Sequence, residues 1–355
     1  MGAAADHRAS SLVPSDRFMA AVLVGWAIWV AFVTIWSDRS VLEGLAYAKV
    51  PVVLVLGMVF GRLSGRPGGP VLLVAVASAL ALVLLVVDPF YTNAQAAAGV
   101  QLVALAGLVL QTSWQRAPGL RAVTAAQTVF TGAAGVLGVL LAASAQAASV
   151  LVVLVVVAVA SASAPRLVLP RTVIISIGLA AVGAVMSVVL VLGRMPRWPA
   201  VLSGNESLSW ARHDLWRDAL ELLQLHPVTG GGPGSFFEHS GTARSAPHLY
   251  AAHSSILQVA AELGIVGVLL FVAVLVAGAL VASQGDRARG LIGVTAWCAL
   301  AVHSMIDHLY ECPLVVLLAG VVIGWAGSRV RDGGPPLISA LPPAIDPPPA
   351  AAPPP

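Results

Sequence analysis

The chain has 355 residues, of which 58% are hydrophobic and only 10% charged, with a formal net charge of +3. Its mean hydropathy is +0.91. Water-soluble domains carry about 25% charged residues, so this composition excludes one. The small positive charge sits on arginines spaced between apolar runs, which is a topology signal rather than a nucleic-acid footprint. The chain reads as a polytopic membrane protein.

Residues 1–17 form a polar head. About ten apolar segments follow, at 18–36, 45–63, 70–87, 96–114, 122–143, 148–164, 173–193, 264–282, 290–309 and 313–328, most of them close to the roughly 20 residues a span needs. The first is too long for a signal-peptide core and runs into Ser37-Asp38-Arg39 rather than a cleavage site, so it is expected to stay as a span. Residues 332–355 are proline-rich, cannot hold a helix and are expected to form a disordered cytoplasmic tail. Cys298 falls mid-span, so a disulfide with Cys312 is not expected, and neither cysteine has a CxxC partner. The predicted fold class is all-α: a transmembrane bundle of spans 1–7 over 18–193 and spans 8–10 over 264–331, with one long loop, 194–263, between them.

The connections set the orientation. The head carries Arg8 and Arg17, the second connection Arg62 and Arg66, the fourth Arg116 and Arg121, and the sixth Arg166 and Arg171. Arg287 and Arg289 lie in the eighth, and Arg329 and Arg331 open the tail. The odd short connections carry only Arg39. The positive-inside rule then places both termini in the cytoplasm and the loop over 194–253 outside the cell membrane. Neither ATP nor nucleotide sugars are available there, so an enzyme working on that face needs a donor that carries its own activation.

The long loop holds the chain's main polar stretch, Ser207 to Gly264. From Ser209 to Leu225, Ala211, Leu215, Ala219 and Leu222 continue a helical period from Leu208, which predicts an amphipathic interfacial helix. Ser207 or Ser209 is placed to cap it, and His226-Pro227 stops it. Arg217 and Glu221 are spaced to pair at i, i+4. Arg212 and Trp216 share a face, and Asp214, Asp218 and Glu221 read as a solvated side. Gly230 to Ser235 allows backbone with positive φ, suited either to approaching a phosphate or to an ordinary loop. No lysine follows it as in a Walker loop. Pro247 is expected to open a helix through His253 into the eighth span, on which Glu262 points away from His253.

Three motifs together carry a resemblance. Arg-x-x-x-Trp is Arg212 and Trp216. His-Pro-x-x-Gly-x-Gly-Pro-Gly-x-Phe runs from His226 to Phe236 through Gly230, Gly232, Pro233 and Gly234. Ala-His-x-x-x-Leu-Gln-x-x-x-Glu-Leu-Gly-x-x-Gly runs from Ala252 to Gly267 through His253, Leu257, Gln258, Glu262, Leu263 and Gly264. Over about 60 residues this pattern resembles the O-antigen ligase and O-antigen polymerase superfamily of membrane glycosyltransferases. Ser254 departs from it, standing where the family usually has Asn. The resemblance implies an inverting, metal-independent enzyme without cofactor. Such an enzyme moves a glycan from a polyprenyl diphosphate donor to a hydroxyl of a glycan, lipid or protein acceptor.

The resemblance points to Arg212 and His253 as the catalytic pair. Arginine's planar fork suits a diphosphate leaving group, and histidine suits the proton lost by an attacking hydroxyl. His253 is equally able to orient the acceptor without taking the proton, and Arg212 to contact lipid headgroups. Arg244, Lys49, Arg194, Trp216, Gly232 and Gly234 are candidate diphosphate or glycan contacts. Arg194 with Arg197 also suits interface anchoring, and Lys49 snorkelling. His303 and Asp307, at i, i+4 on the ninth span, serve a site or an internal helix–helix pair. No DxD pair or zinc spacing is present, so no metal is expected. Two other classes compete: a transporter or flippase of lipid-linked glycans, and a non-catalytic envelope subunit that uses the loop for docking.

Overall fold

The computed structural model describes residues 14–64, 69–89, 91–114, 121–164, 169–199, 202, 210–246 and 249–328. Arg8, Arg66, Arg116, Arg166, Ser207, Ser209, Pro247, Arg329, Arg331 and the proline-rich tail lie outside the described residues. Among the described residues the secondary structure is helical, with no strand. The elements are α1 (Pro14–Trp36), α2 (Val41–Leu63), α3 (Gly69–Val87), α4 (Thr92–Trp114), α5 (Arg121–Ala142), α6 (Gln146–Ala162) and α7 (Arg171–Arg194). After them come α8 (Trp210–Leu225), the short α9 (Ser235–His239) and α10 (Gly241–Ser245), then α11 (Ser255–Ala282), α12 (Arg287–Met305) and α13 (Pro313–Ala326).

Each predicted span overlaps a helix. Seven helices, α1 to α5, α7 and α11, are long and apolar enough to cross a membrane; α6 and α13 are apolar but shorter. Large apolar side chains such as Ile35, Val86 and Leu269 are exposed on the bundle surface, a face that water would penalise and lipid tolerates. The protein is a multi-pass membrane protein. α4 is its central helix, with 89% of its apolar window buried, and α7 lies at the edge, with 11%.

Side-chain contacts divide the connections between two ends. At one end Arg62 reaches Asp16 at 2.6 Å, Gln284 reaches Ser15 and Asp16, and Arg171 donates to the Gly285 carbonyl at 2.6 Å. At the other end Arg39, between α1 and α2, pairs with Glu238 of the long loop at 2.7 Å. There Tyr91 and Asn93 also reach Asp307, between α12 and α13.

α2 and α13 meet through glycines. A Cβ on Gly57 would stand 2.3 Å from the Leu317 carbonyl, and one on Gly61 2.3 Å from that of Val321. On the facing helix a Cβ on Gly324 would stand 2.3 Å from the Met58 carbonyl. Gly57 and Gly61, like Gly320 and Gly324, are four apart, so each helix presents one small-residue stripe to the other.

α11 departs from its predicted form. It begins at Ser255, with Ser254 as N-cap accepting from the Leu257 N–H, and His253 lies before it with φ 47°. A helix through His253 is therefore corrected: that residue's left-handed backbone cannot belong to one. α11 is also broken at Gly264, whose φ of 65° and ψ of −167° are non-helical. The break frees backbone groups in a buried part of the protein, where each must find a partner. Gly231 N donates to Ala261 O at 2.9 Å, Gly232 N to Glu262 O at 3.0 Å, and Ile265 N to Pro227 O at 3.0 Å. Trp29 Nε1 donates to Leu263 O at 2.9 Å.

α12 ends at Met305, short of the predicted 309, so Asp307 lies beyond the helix that carries His303. Arg217 pairs with Asp214 at 3.8 Å, rather than with Glu221. Asp218 accepts from Ser240 Oγ at 2.6 Å, so that side of α8 is partly tied to the loop. The amphipathic reading of α8 otherwise holds: Ala211, Leu215, Ala219 and Leu222 are buried against the bundle.

Gly57→Leu or Gly324→Leu is expected to force α2 and α13 apart and lower stability by at least about 2 kcal/mol. Thermal unfolding in detergent checks this, with Gly183→Leu as control because a Cβ there meets nothing within 4 Å. An unchanged midpoint in Gly57→Leu would contradict the close helix contact.

Candidate functional site

Asp307 is the hub of the polar end. It is 1% exposed and sits in the connection between α12 and α13. His253 Nδ1 lies 3.3 Å from its Oδ1. His308 donates its backbone N–H to the same oxygen at 2.8 Å, and His308 Nδ1 is also 2.8 Å away, an ion contact when protonated. Tyr91 Oη donates to Oδ1 at 3.2 Å and Asn93 Nδ2 to Oδ2. A guanidinium nitrogen of Arg212 stands 4.0 Å from Oδ2. The Asp307 carbonyl accepts from both the backbone N and Oγ of Ser255 at 2.9 Å.

The elements explain why these groups meet. α8 buries its apolar face and so carries Arg212 inward. The break in α11 lets its first turns approach Asp307 while the rest crosses the bundle. The left-handed turn at His253 then aims the imidazole back at the carboxylate. Because a carboxylate only accepts, His253 Nδ1 carries the proton in that contact and Nε2 keeps its lone pair. Nε2 is buried and has no partner among the described residues.

Burial pushes the Asp307 carboxyl up, but hydrogen bonds from His253 and His308 outweigh it and hold the group well below the usual carboxylate range. Burial lowers His253, against the opposing pull of Asp307, and leaves it below an ordinary imidazole. For His308 the balance is reversed: burial lowers it, yet the hydrogen bond and charge of Asp307 carry it above the ordinary value. Burial also lowers Arg212, with Asp307 opposing; a guanidinium stays charged at neutral pH. The site thus presents a neutral imidazole beside a guanidinium, with one carboxylate shared between them.

Aromatic rings wall the cluster. Tyr91 stacks on His308 at 5.0 Å, while His253 and Tyr250 meet His308 edge-on at 4.7 and 5.4 Å. Tyr250 Oη is 3.2 Å from His308 Nε2.

His253, Asp307 and His308 each present a ligand atom within 4.8 Å of one another, a grouping that suits a metal ion. Sequence spacing did not reveal it. Against that use, Tyr91, Asn93 and the His308 N–H already occupy the Asp307 oxygens, and a cation would sit beside a guanidinium. The arrangement is better balanced as a hydrogen-bonded centre.

The structure brings Arg212, His253 and Asp307 together. His303 is buried, and neither ring nitrogen has a partner among the described residues; it does not bond Asp307. Lys49 is half-buried on α2. Trp216 is fully buried in the core, edge-on to Trp198 at 5.3 Å. Arg194 and Arg244 are exposed. Gly232 and Gly234 have φ of 92° and 81°, and a Cβ would strike Ser37 or Glu43, so their local task is docking the loop on the α1–α2 connection. Sequence reasoning missed His308, Tyr91, Asn93 and Tyr250; only the adjacency of His308 to Asp307 offered a signal.

A family model described as O-antigen ligase matches residues 128–272. The match supports an O-antigen ligase-like family for this chain. It contains Arg212 and His253 and stops before Asp307. No curated protein matches the chain. An O-antigen ligase-like protein is a glycosyl-transferring enzyme that works on a lipid-linked glycan in a membrane, and that function is supported here at family level.

Asp307→Asn removes the charge that raises both histidines. His308 is expected to fall from above the ordinary value of about 6.5 to below it, and His253 to fall further. NMR titration of labelled histidines checks this; an unmoved His308 would contradict the shared-carboxylate arrangement.

Proposed function

We propose that the protein transfers a glycan from a polyprenyl diphosphate carrier to a hydroxyl acceptor at the outer face of the cytoplasmic membrane. The observation that carries this is the convergence of Arg212 and His253 on Asp307 under a docked loop. The acceptor O–H gives its proton to His253 Nε2 while its oxygen attacks the anomeric carbon. The bond from that carbon to the diphosphate oxygen breaks, and the charge left on the diphosphate is met by Arg212. Asp307 fixes the His253 tautomer and steadies the imidazolium that forms, in the manner of an orienting carboxylate. A single displacement of this kind inverts the anomeric centre and calls for no metal. Lys49, His303, Arg244 and Arg194 are assigned as secondary contacts for donor or acceptor on their sequence positions alone.

The outward orientation rests on the arginine asymmetry of the connections, with α6, α12 and α13 counted as spans to give ten. The first, third and ninth connections and the long loop meet at the end that holds the cluster, so the arginine asymmetry assigns that end as a unit. A lipid-borne donor suits an outer face remote from soluble fuel. The product belongs to cell-surface or exopolysaccharide assembly.

A transporter of lipid-linked glycans is the second reading, and the broken α11 favours it, since broken helices mark many transport sites. Yet the polar groups cluster at one end of the bundle rather than at mid-depth, which favours chemistry at a surface.

The test uses purified protein in nanodiscs with a polyprenyl-diphosphate-linked glycan and a hydroxyl acceptor. His253→Ala and Arg212→Ala are each expected to lower transfer by at least about a hundredfold while the protein still inserts. The acid limb of the wild-type rate profile is expected below the ordinary imidazole value of about 6.5, because burial holds His253 low and neutral. Full transfer by both variants would overturn the reading, and glycan flipping without transfer would establish the transporter.

A further inference from the structure

Glu262 lies in the first, buried segment of α11, the nine residues Ser255 to Leu263 before the break. Its side chain accepts three hydrogen bonds: from Tyr47 Oη at 2.6 Å, Gln258 Nε2 at 2.9 Å and the Phe236 backbone N at 3.2 Å. Gln258 in turn accepts from the Ala252 backbone N at 2.7 Å. A continuous chain of contacts therefore runs from α2 and the glycine-rich loop, through one carboxyl group, to the residue preceding His253.

His253 needs such an anchor. Its φ of 47° is a left-handed conformation that a residue with a side chain adopts only when its surroundings over-determine it. On one side Ser255 is fixed by the Asp307 carbonyl, as described above. On the other side, among the described residues, the Ala252 N–H donates to Gln258. Without that second anchor the peptide before His253 is free to turn back to its ordinary φ, and Nε2 swings off the line to the acceptor.

We infer that Glu262 is a positioning residue for His253, acting through Gln258 and Ala252. It touches no reacting atom. It ties the register of the outer loop, which Phe236 reports, and of the membrane helix α2, which Tyr47 reports, to the direction of the imidazole. The inference rests on His253 serving as proposed above.

The test is steady-state transfer in nanodiscs, with a synthetic polyprenyl-diphosphate-linked sugar as donor. Gln258→Ala removes the last link alone and is expected to lower kcat about a hundredfold, the scale of a misplacement near 1 Å, with the donor KM within threefold. Glu262→Ala is expected to do the same. Glu262→Gln keeps an acceptor oxygen for Phe236 and Gln258 and is expected to stay within about threefold of wild-type kcat, a rescue that a chemical role for the carboxylate would not give. A native kcat in Gln258→Ala, or a loss confined to KM, would overturn the inference, as would a Glu262→Gln as inactive as Glu262→Ala. If Glu262→Ala fails to accumulate, Gln258→Ala decides alone. His253→Ala run alongside separates the two levels. An inactive His253→Ala with a native Gln258→Ala sinks only the positioning role, whereas an active His253→Ala removes the proposed function itself.

Discussion

A helix interrupted inside a packed protein cannot leave its backbone groups bare, and the break at Gly264 of α11 is the constraint on which the outer face of this protein depends. The carbonyls of Ala261, Glu262 and Leu263 face away from the regular ladder and accept instead from Gly231, Gly232 and Trp29. Gly264 itself packs so tightly that a Cβ would lie 2.2 Å from the Val228 carbonyl. The glycine-rich loop is thus a substitute for the missing turn, and its positive φ values follow from that task. Docked there, it carries α8 across the bundle and brings Arg212 within 4.0 Å of Asp307.

The second consequence is electrostatic. A buried carboxylate without partners would be costly, and Asp307 is compensated from four directions: α4 and the turn before it, the loop before α11, α8, and its own connection. Burial, outweighing the pull of Asp307, leaves His253 neutral, and Arg212 stays charged, which are the states that acceptor activation and diphosphate binding require. Removing Asp307 would unbalance all of these at once, so its role in stability and its role in the site are one interaction viewed twice.

Much of this was legible in the chain and some was not. The apolar helices were legible from runs near 20 residues, and seven of those described are long and apolar enough to cross a membrane. α8 was legible from the period of Ala211, Leu215, Ala219 and Leu222, and Arg212 and His253 from their motif context. Asp307 was singled out, but with the wrong partner: helical spacing paired it with His303, whereas α12 ends at Met305 and frees it to turn toward His253. Tyr91 and Asn93 lie 216 and 214 residues from Asp307 along the chain, a separation over which no periodicity speaks. The left-handed turn at His253 defeated the expectation of a continuous helix, because ordinary residues rarely adopt it and nothing local announced it. Arg217 found Asp214 rather than Glu221, a choice between exposed partners worth only a few tenths of a kcal/mol.

Hydrogen exchange of the protein embedded in a bilayer addresses the docked loop most directly, since it needs neither donor nor acceptor. The amides of Gly231, Gly232 and Ile265 donate across the break, and the account predicts that they exchange at least about a hundredfold more slowly than open chain, as a buried cooperative unit does. Exchange of Gly231 and Gly232 at the rate of an exposed loop would contradict it, because the segment that carries the site together would then not be fixed to the broken helix.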